Sequence, residues 1–156
     1  MNDSNPDYVV VGETHSYNYA MMSYAVSLVR KGARLIGTNI DVADKSYDSF
    51  VPACAALIKP IEMVTGKQAF FLGKPNPLIM KAALDRLNVD SNSCVIIGDR
   101  LDTDILAGIT SCITTCCVLT GVSTLQDVAM SPYQPDIVLP SLAHILQDNV
   151  ELHPNQ

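Results

Sequence analysis

Apolar residues fall along this chain in short blocks, set apart by polar stretches and by turns marked with glycine or proline. Tyr8-Val9-Val10-Val11-Gly12 has the look of a short buried strand. Met21, Met22, Ala25, Val26 and Val29 recur at helical spacing within 17–30, and Lys31-Gly32 supplies a cation and a glycine to stop that helix. A strand is expected over 34–38, a polar loop over 39–49, and a helix over 51–65 that Pro60 should kink or divide. A further strand is expected over 68–72. Asn76-Pro77 then gives a capping side chain and a first-turn proline to a helix whose buried face would be Leu78, Ile79, Ala82, Ala83 and Leu87. After it come a strand over 94–97, a helix from Thr103 with Asp102 as its cap, a strand over 113–119 and a capped helix over 123–130. A strand over 136–139 and a helix over 141–147 complete the pattern, and 151–156 is expected to fray. Strands alternate with helices throughout, so the expected class is α/β with largely parallel pairing.

Composition changes this picture only in what it excludes. Hydrophobic residues make up 48% of the 156 and charged residues 17%, enough to bury a sizeable core. A net charge of -6 argues against a nucleic-acid partner, which selects for a basic face. No apolar run approaches the roughly 18 residues of a membrane span. The five cysteines form no C-x-x-C pair, so reduced thiols in a cytoplasmic core are the expectation.

The chemistry gathers around Gly98-Asp99-Arg100-Leu101-Asp102-Thr103-Asp104, with Gly73-Lys74-Pro75 upstream. Lys74 follows one expected strand and Asp99 the next. If the two are parallel, both side chains reach the same sheet edge, the place where open α/β sheets bind ligands. A lysine there can neutralise a phosphoryl group, and a carboxylate can hold Mg²⁺. Asp104 can orient the lysine or a metal-bound water. The plainer alternative is that Asp102 and Asp104 only cap a helix and favour its dipole.

The joint pattern resembles the haloacid dehalogenase (HAD) superfamily of phosphatases, in the type IIA branch of the NagD-type ribonucleotide monophosphatases. The resemblance is carried by Asn5-Pro6-Asp7, Val9 to Thr14, Tyr17-Asn18, Gly32-Ala33-Arg34, Thr38-Asn39-Ile40-Asp41, Gly73-Lys74-Pro75, Gly98-Asp99 through Asp104, and Leu119-Thr120-Gly121-Val122-Ser123. It implies a C2-type α/β cap fragment over 5–67 and the second half of a Rossmann-like core over 68–150. It further implies a Mg²⁺-dependent hydrolase of small phosphomonoesters, such as the nucleoside monophosphate UMP, working through an aspartyl-phosphate. By match, Asp99 is the metal ligand, Lys74 the phosphate-facing lysine and Asp104 its supporting acid. Asn39, Asp41 and Arg100 are the substrate contacts; turn chemistry is the alternative for Asn39 and Asp41.

The family's nucleophile sits in an Asp-x-Asp motif after the first core strand. The one Asp-x-Asp here, Asp102-Thr103-Asp104, belongs to the metal loop. Two readings follow from the resemblance. One is part of a phosphatase, truncated or split, expected to self-associate or to pair with an amino-terminal half. The other is an inactive relic that binds metal or phosphate, or another chain, without turnover. A receiver domain fits less well, because there the acidic cluster precedes the lysine.

Overall fold

The computed structural model describes residues 5–46 and 49–146. They form α/β architecture in two compact units, divided between Gly73 and Lys74.

In the first unit a parallel three-stranded sheet runs in the order β1 (Tyr8–Val11), β2 (Arg34–Gly37), β5 (Phe70–Phe71). Val9 stands opposite Leu35, and Ile36 opposite Phe70. Helix α1 (Tyr19–Arg30) is capped by Asn18, whose side chain accepts from the Met21 amide at 3.0 Å. Its stripe of Met22, Ala25, Val26 and Val29 meets Leu35, Cys54, Ile58 and Ile61 in the core. Because Phe70 and Phe71 pair with β2, the segment after residue 67 lies with this unit rather than with the one that follows.

Helix α2 (Cys54–Thr65) passes through Pro60 undivided and ends at Gly66, whose left-handed backbone (φ 67°) closes the last turn. Its Glu62 is buried and accepts from the Ala69 amide (2.8 Å) and from Lys59 Nζ (3.0 Å). The Ala69 bond first, and Lys59 with it, hold this carboxyl below the usual glutamate value despite burial. A lowered folded value contributes stability that is complete above the unfolded pKa and lost as pH falls through the folded one. The urea midpoint of the first unit is therefore expected to fall as pH is lowered from 6 to 3.5. Glu62→Gln, which keeps an acceptor for Ala69, should flatten that slope. An equal slope in both proteins would remove Glu62 from the account.

Residues 39–49 differ from the expected loop. β3 (Ala43–Ser46) and β4 (Ser49–Pro52) form an antiparallel hairpin, with Ala43 opposite Pro52 and Asp44 opposite Val51. Backbone pairing sets this element, since the sequence offers no apolar alternation to reveal it.

In the second unit β6 (Val95–Gly98), β7 (Thr114–Val118) and β8 (Ile137–Leu139) form a parallel sheet in that order. β7 is central and accordingly the most buried. Asp136 ties it to β8: its Oδ2 accepts from the Thr115 amide (2.8 Å) and hydroxyl (2.7 Å). Leu101, Ile105, Cys117 and Val128 make the core. α5 (Leu125–Met130) starts on a capping box of Thr124 and Asp127, two residues later than expected.

Helix α3 (Pro77–Leu87) begins as its sequence indicates, with the Asn76 side chain accepting from the Leu78 amide at 3.0 Å. Its expected buried face is not buried: Leu78 is 52% exposed, Ile79 43% and Leu87 66%. The helix packs beside α4 (Leu106–Thr110), and those side chains stay only partly covered. The last expected helix is a 3₁₀ turn, Leu142–Leu146; residue 147 and the tail at 151–156 lie outside the described residues. No described helix is long and apolar enough to cross a membrane.

Candidate active site

The second unit gathers four of the expected residues at one end of its sheet. β6 ends at Gly98, and Asp99-Arg100 leads into a π-helical turn, Leu101–Ile105, that continues as α4. Wide turns of this kind recur at functional sites because they redirect side chains. Here the turn carries Asp104 inward, to 4% exposure, while Asp102 stays exposed. Asp102 is thus not the helix cap expected from the sequence; it lies 3.4 Å from Arg100 Nη2. Asp104 Oδ2 accepts from the Arg100 amide at 3.1 Å, and among the described residues no side chain caps the turn.

Asp104 Oδ1 accepts a charge-assisted hydrogen bond from Lys74 Nζ. The lysine side chain is half exposed, so its ammonium is held at one end and open to solvent along the rest. Gly98 makes this possible: a Cβ there would overlap the Asp104 carboxylate.

Asp99 is held by main chain. Its Oδ2 accepts from the Val122 amide at 2.7 Å, and its own carbonyl accepts from the Ser123 amide at 3.0 Å. Among the described residues it has no cationic partner, which distinguishes it from Asp104. Burial first, and then the carboxylates of Asp99 and Asp104, push the Cys117 thiol up. Lys74 is paired with Asp104, which leaves the Asp99 carboxylate uncompensated by a cation among the described residues.

A divalent cation fits that deficit in part. Mg²⁺ takes one or two protein carboxylates, keeps several waters and accepts phosphate oxygens. Asp99 offers one such carboxylate, and no group of three acidic, histidine or cysteine side chains suited to a metal occurs among the described residues.

Asn39 and Asp41 lie in the first unit. Asn39 donates to Glu13 Oε1 at 2.8 Å, and its Oδ1 accepts from the Asp41 amide at 3.1 Å. Neither the Glu13–Asn39 bond nor the seat of Asp99 at Gly121-Val122 is legible in local sequence patterning. Of the second the sequence carries only a trace, a glycine just past an apolar strand.

Comparison with known proteins places this geometry. Residues 71–145 match the HAD-hydrolase-like family. Ribonucleotide monophosphatase NagD of Escherichia coli K12 is 47% identical over 143 residues, covering 92% of this chain and 56% of that protein. The chain belongs to the HAD-like hydrolases. The solved structure of NagD from E. coli K-12 superposes with a TM-score of 0.82 at 45% identity, over 92% of this chain and 56% of the other. A 4-nitrophenylphosphatase from Thermotoga maritima gives 0.87 at 32% identity, over 94% and 57%. Dihydroxyacetone phosphatase of Corynebacterium glutamicum is 36% identical over 93% of this chain and 53% of its own length. The chain thus spans about half the length of the curated relatives it matches. Both the parallel α/β class and the type IIA branch agree with the sequence reading.

Proposed function

We propose that these residues form the cap and the second core half of a Mg²⁺-dependent phosphatase of small phosphomonoesters, acting in the cytoplasm. The observation that carries the reading is the Lys74–Asp104 ion pair beside the separately held Asp99. Lys74, kept in place by Asp104, neutralises phosphoryl oxygens, and Asp99 holds the metal. The metal supplies charge neutralisation at the phosphoryl group. Asn39, fixed by Glu13, and Asp41 are the substrate contacts of the first unit on this reading, and Arg100 that of the second. Identity to NagD favours a nucleoside monophosphate such as UMP as substrate. The one Asp-x-Asp of this sequence lies in the metal loop, and on this reading the acceptor aspartate comes from an amino-terminal half with which the chain pairs.

Phosphate binding tests this directly. Inorganic phosphate with Mg²⁺ is expected to show ³¹P line broadening on adding the protein, and Lys74→Met should abolish most of it. Equal broadening by both proteins, at matched fold by circular dichroism, removes Lys74 from the site.

A further inference from the structure

The stretch after β7 touches Asp99 at two levels. The Val122 amide binds the Asp99 carboxylate and the Ser123 amide binds its carbonyl. Gly121 sits against the same side chain so closely that a Cβ would overlap Asp99 Oδ2, Cγ and Cβ. Gly121 carries no left-handed φ, so conformational freedom is not what calls for glycine here; close approach is. The side chain of Val122 is 61% exposed, so its contribution is the N–H.

We propose that Gly121 and Val122 form a main-chain collar that positions Asp99 as a one-oxygen metal ligand. The inference rests on the reading of Asp99 as the metal carboxylate. The amide occupies Oδ2, and among the described residues no donor reaches Oδ1. Fixing one oxygen removes the two-oxygen grip that Ca²⁺ accepts readily, while Mg²⁺ and Mn²⁺ lose nothing by it. Partners of a metal ligand that fix its orientation typically change affinity by about 10- to 100-fold when removed. Gly121 and Val122 are positioning residues on this account, acting only through Asp99.

The experiment measures Mn²⁺ and Ca²⁺ binding to the full 156-residue chain, Mn²⁺ by the electron paramagnetic resonance signal of the free ion and Ca²⁺ by competition. Gly121→Ala and Val122→Pro are expected to weaken Mn²⁺ binding about tenfold or more and to narrow the Mn²⁺ preference over Ca²⁺. Val122→Ala, which keeps the N–H, should behave as wild type. In the metal-free protein, hydrogen exchange at the Val122 amide should be slow and should accelerate in Asp99→Ala. That measurement stands even if the proline variant does not fold. If Asp99→Ala weakens Mn²⁺ while folded Gly121→Ala keeps wild-type affinity and ion preference, the collar is refuted and the metal reading survives. If Asp99→Ala binds Mn²⁺ as wild type does, the metal reading fails and the collar with it.

Discussion

Asp104→Ala is expected to cost the second unit about 2–3 kcal/mol, the range for losing a charged hydrogen bond together with a buried carboxylate. The side chain is almost fully buried and serves two donors, Lys74 Nζ and the Arg100 amide. Alanine removes both bonds and opens a void beneath Gly98, where the carboxylate now fits. The loss stays below the roughly 3–5 kcal/mol of a fully buried pair, because Lys74 is half exposed and recovers hydration once alone. Asp104→Asn keeps an acceptor for the Arg100 amide and should cost less, about 1 kcal/mol, mainly the ionic part of the lysine bond. Native-state hydrogen exchange of the β7 amides under increasing urea isolates this unit from the first. Equal losses in both variants would mean that charge contributes nothing and shape everything.

The purified 156-residue polypeptide is expected to hydrolyse p-nitrophenyl phosphate with Mg²⁺ at least about four orders of magnitude below a family phosphatase. Catalytic groups that act as a unit lose most of their effect when one is missing. Lys74 is committed to Asp104, and on the proposed reading Asp99 is committed to the metal, so neither is available as a phosphoryl acceptor. Adding the amino-terminal part of a type IIA phosphatase as a separate polypeptide should raise turnover. The gain should vanish with Asp99→Ala. Robust turnover by the chain alone, lost in that variant, would falsify the assignment of the acceptor and direct the search to Asp41 and Asp44. No gain on adding the amino-terminal part would favour the inactive relic.

Much of this molecule was legible where local chemistry and burial agree. The Asn76-Pro77 start of α3 and the two regions of parallel sheet followed from capping residues and apolar runs. The hairpin of β3 and β4 did not, since Ala43 and Asp44 carry no strand signature and owe their conformation to partners ten or fewer residues away. Local helix-start chemistry reads Asp102 and Asp104 alike, and only the family resemblance singles out Asp104 as the acid beside Lys74. Only the wide turn, which the sequence does not announce, sends one to solvent and the other inward. The face of α3 failed for a different reason. Periodicity identifies an apolar stripe but not what lies against it, and Leu78, Ile79 and Leu87 remain exposed in their unit. Gly121 belongs to a stretch, 119–123, that carries the family resemblance, but its closeness to Asp99 is a tertiary fact.

The cysteines of the second unit differ sharply in surroundings. Cys112 is exposed at the end of α4, whereas Cys116 and Cys117 are fully enclosed in the central strand, with thiols that burial pushes up and keeps protonated. Alkylation requires thiolate and access together. A reagent such as iodoacetamide thus meets a fast class at Cys112, a partly covered thiol at Cys94, and at Cys116 and Cys117 a slow class that reacts only when the sheet opens. Mass-resolved labelling of the adjacent pair reports how often β7 parts from its neighbours, with no probe added to the chain.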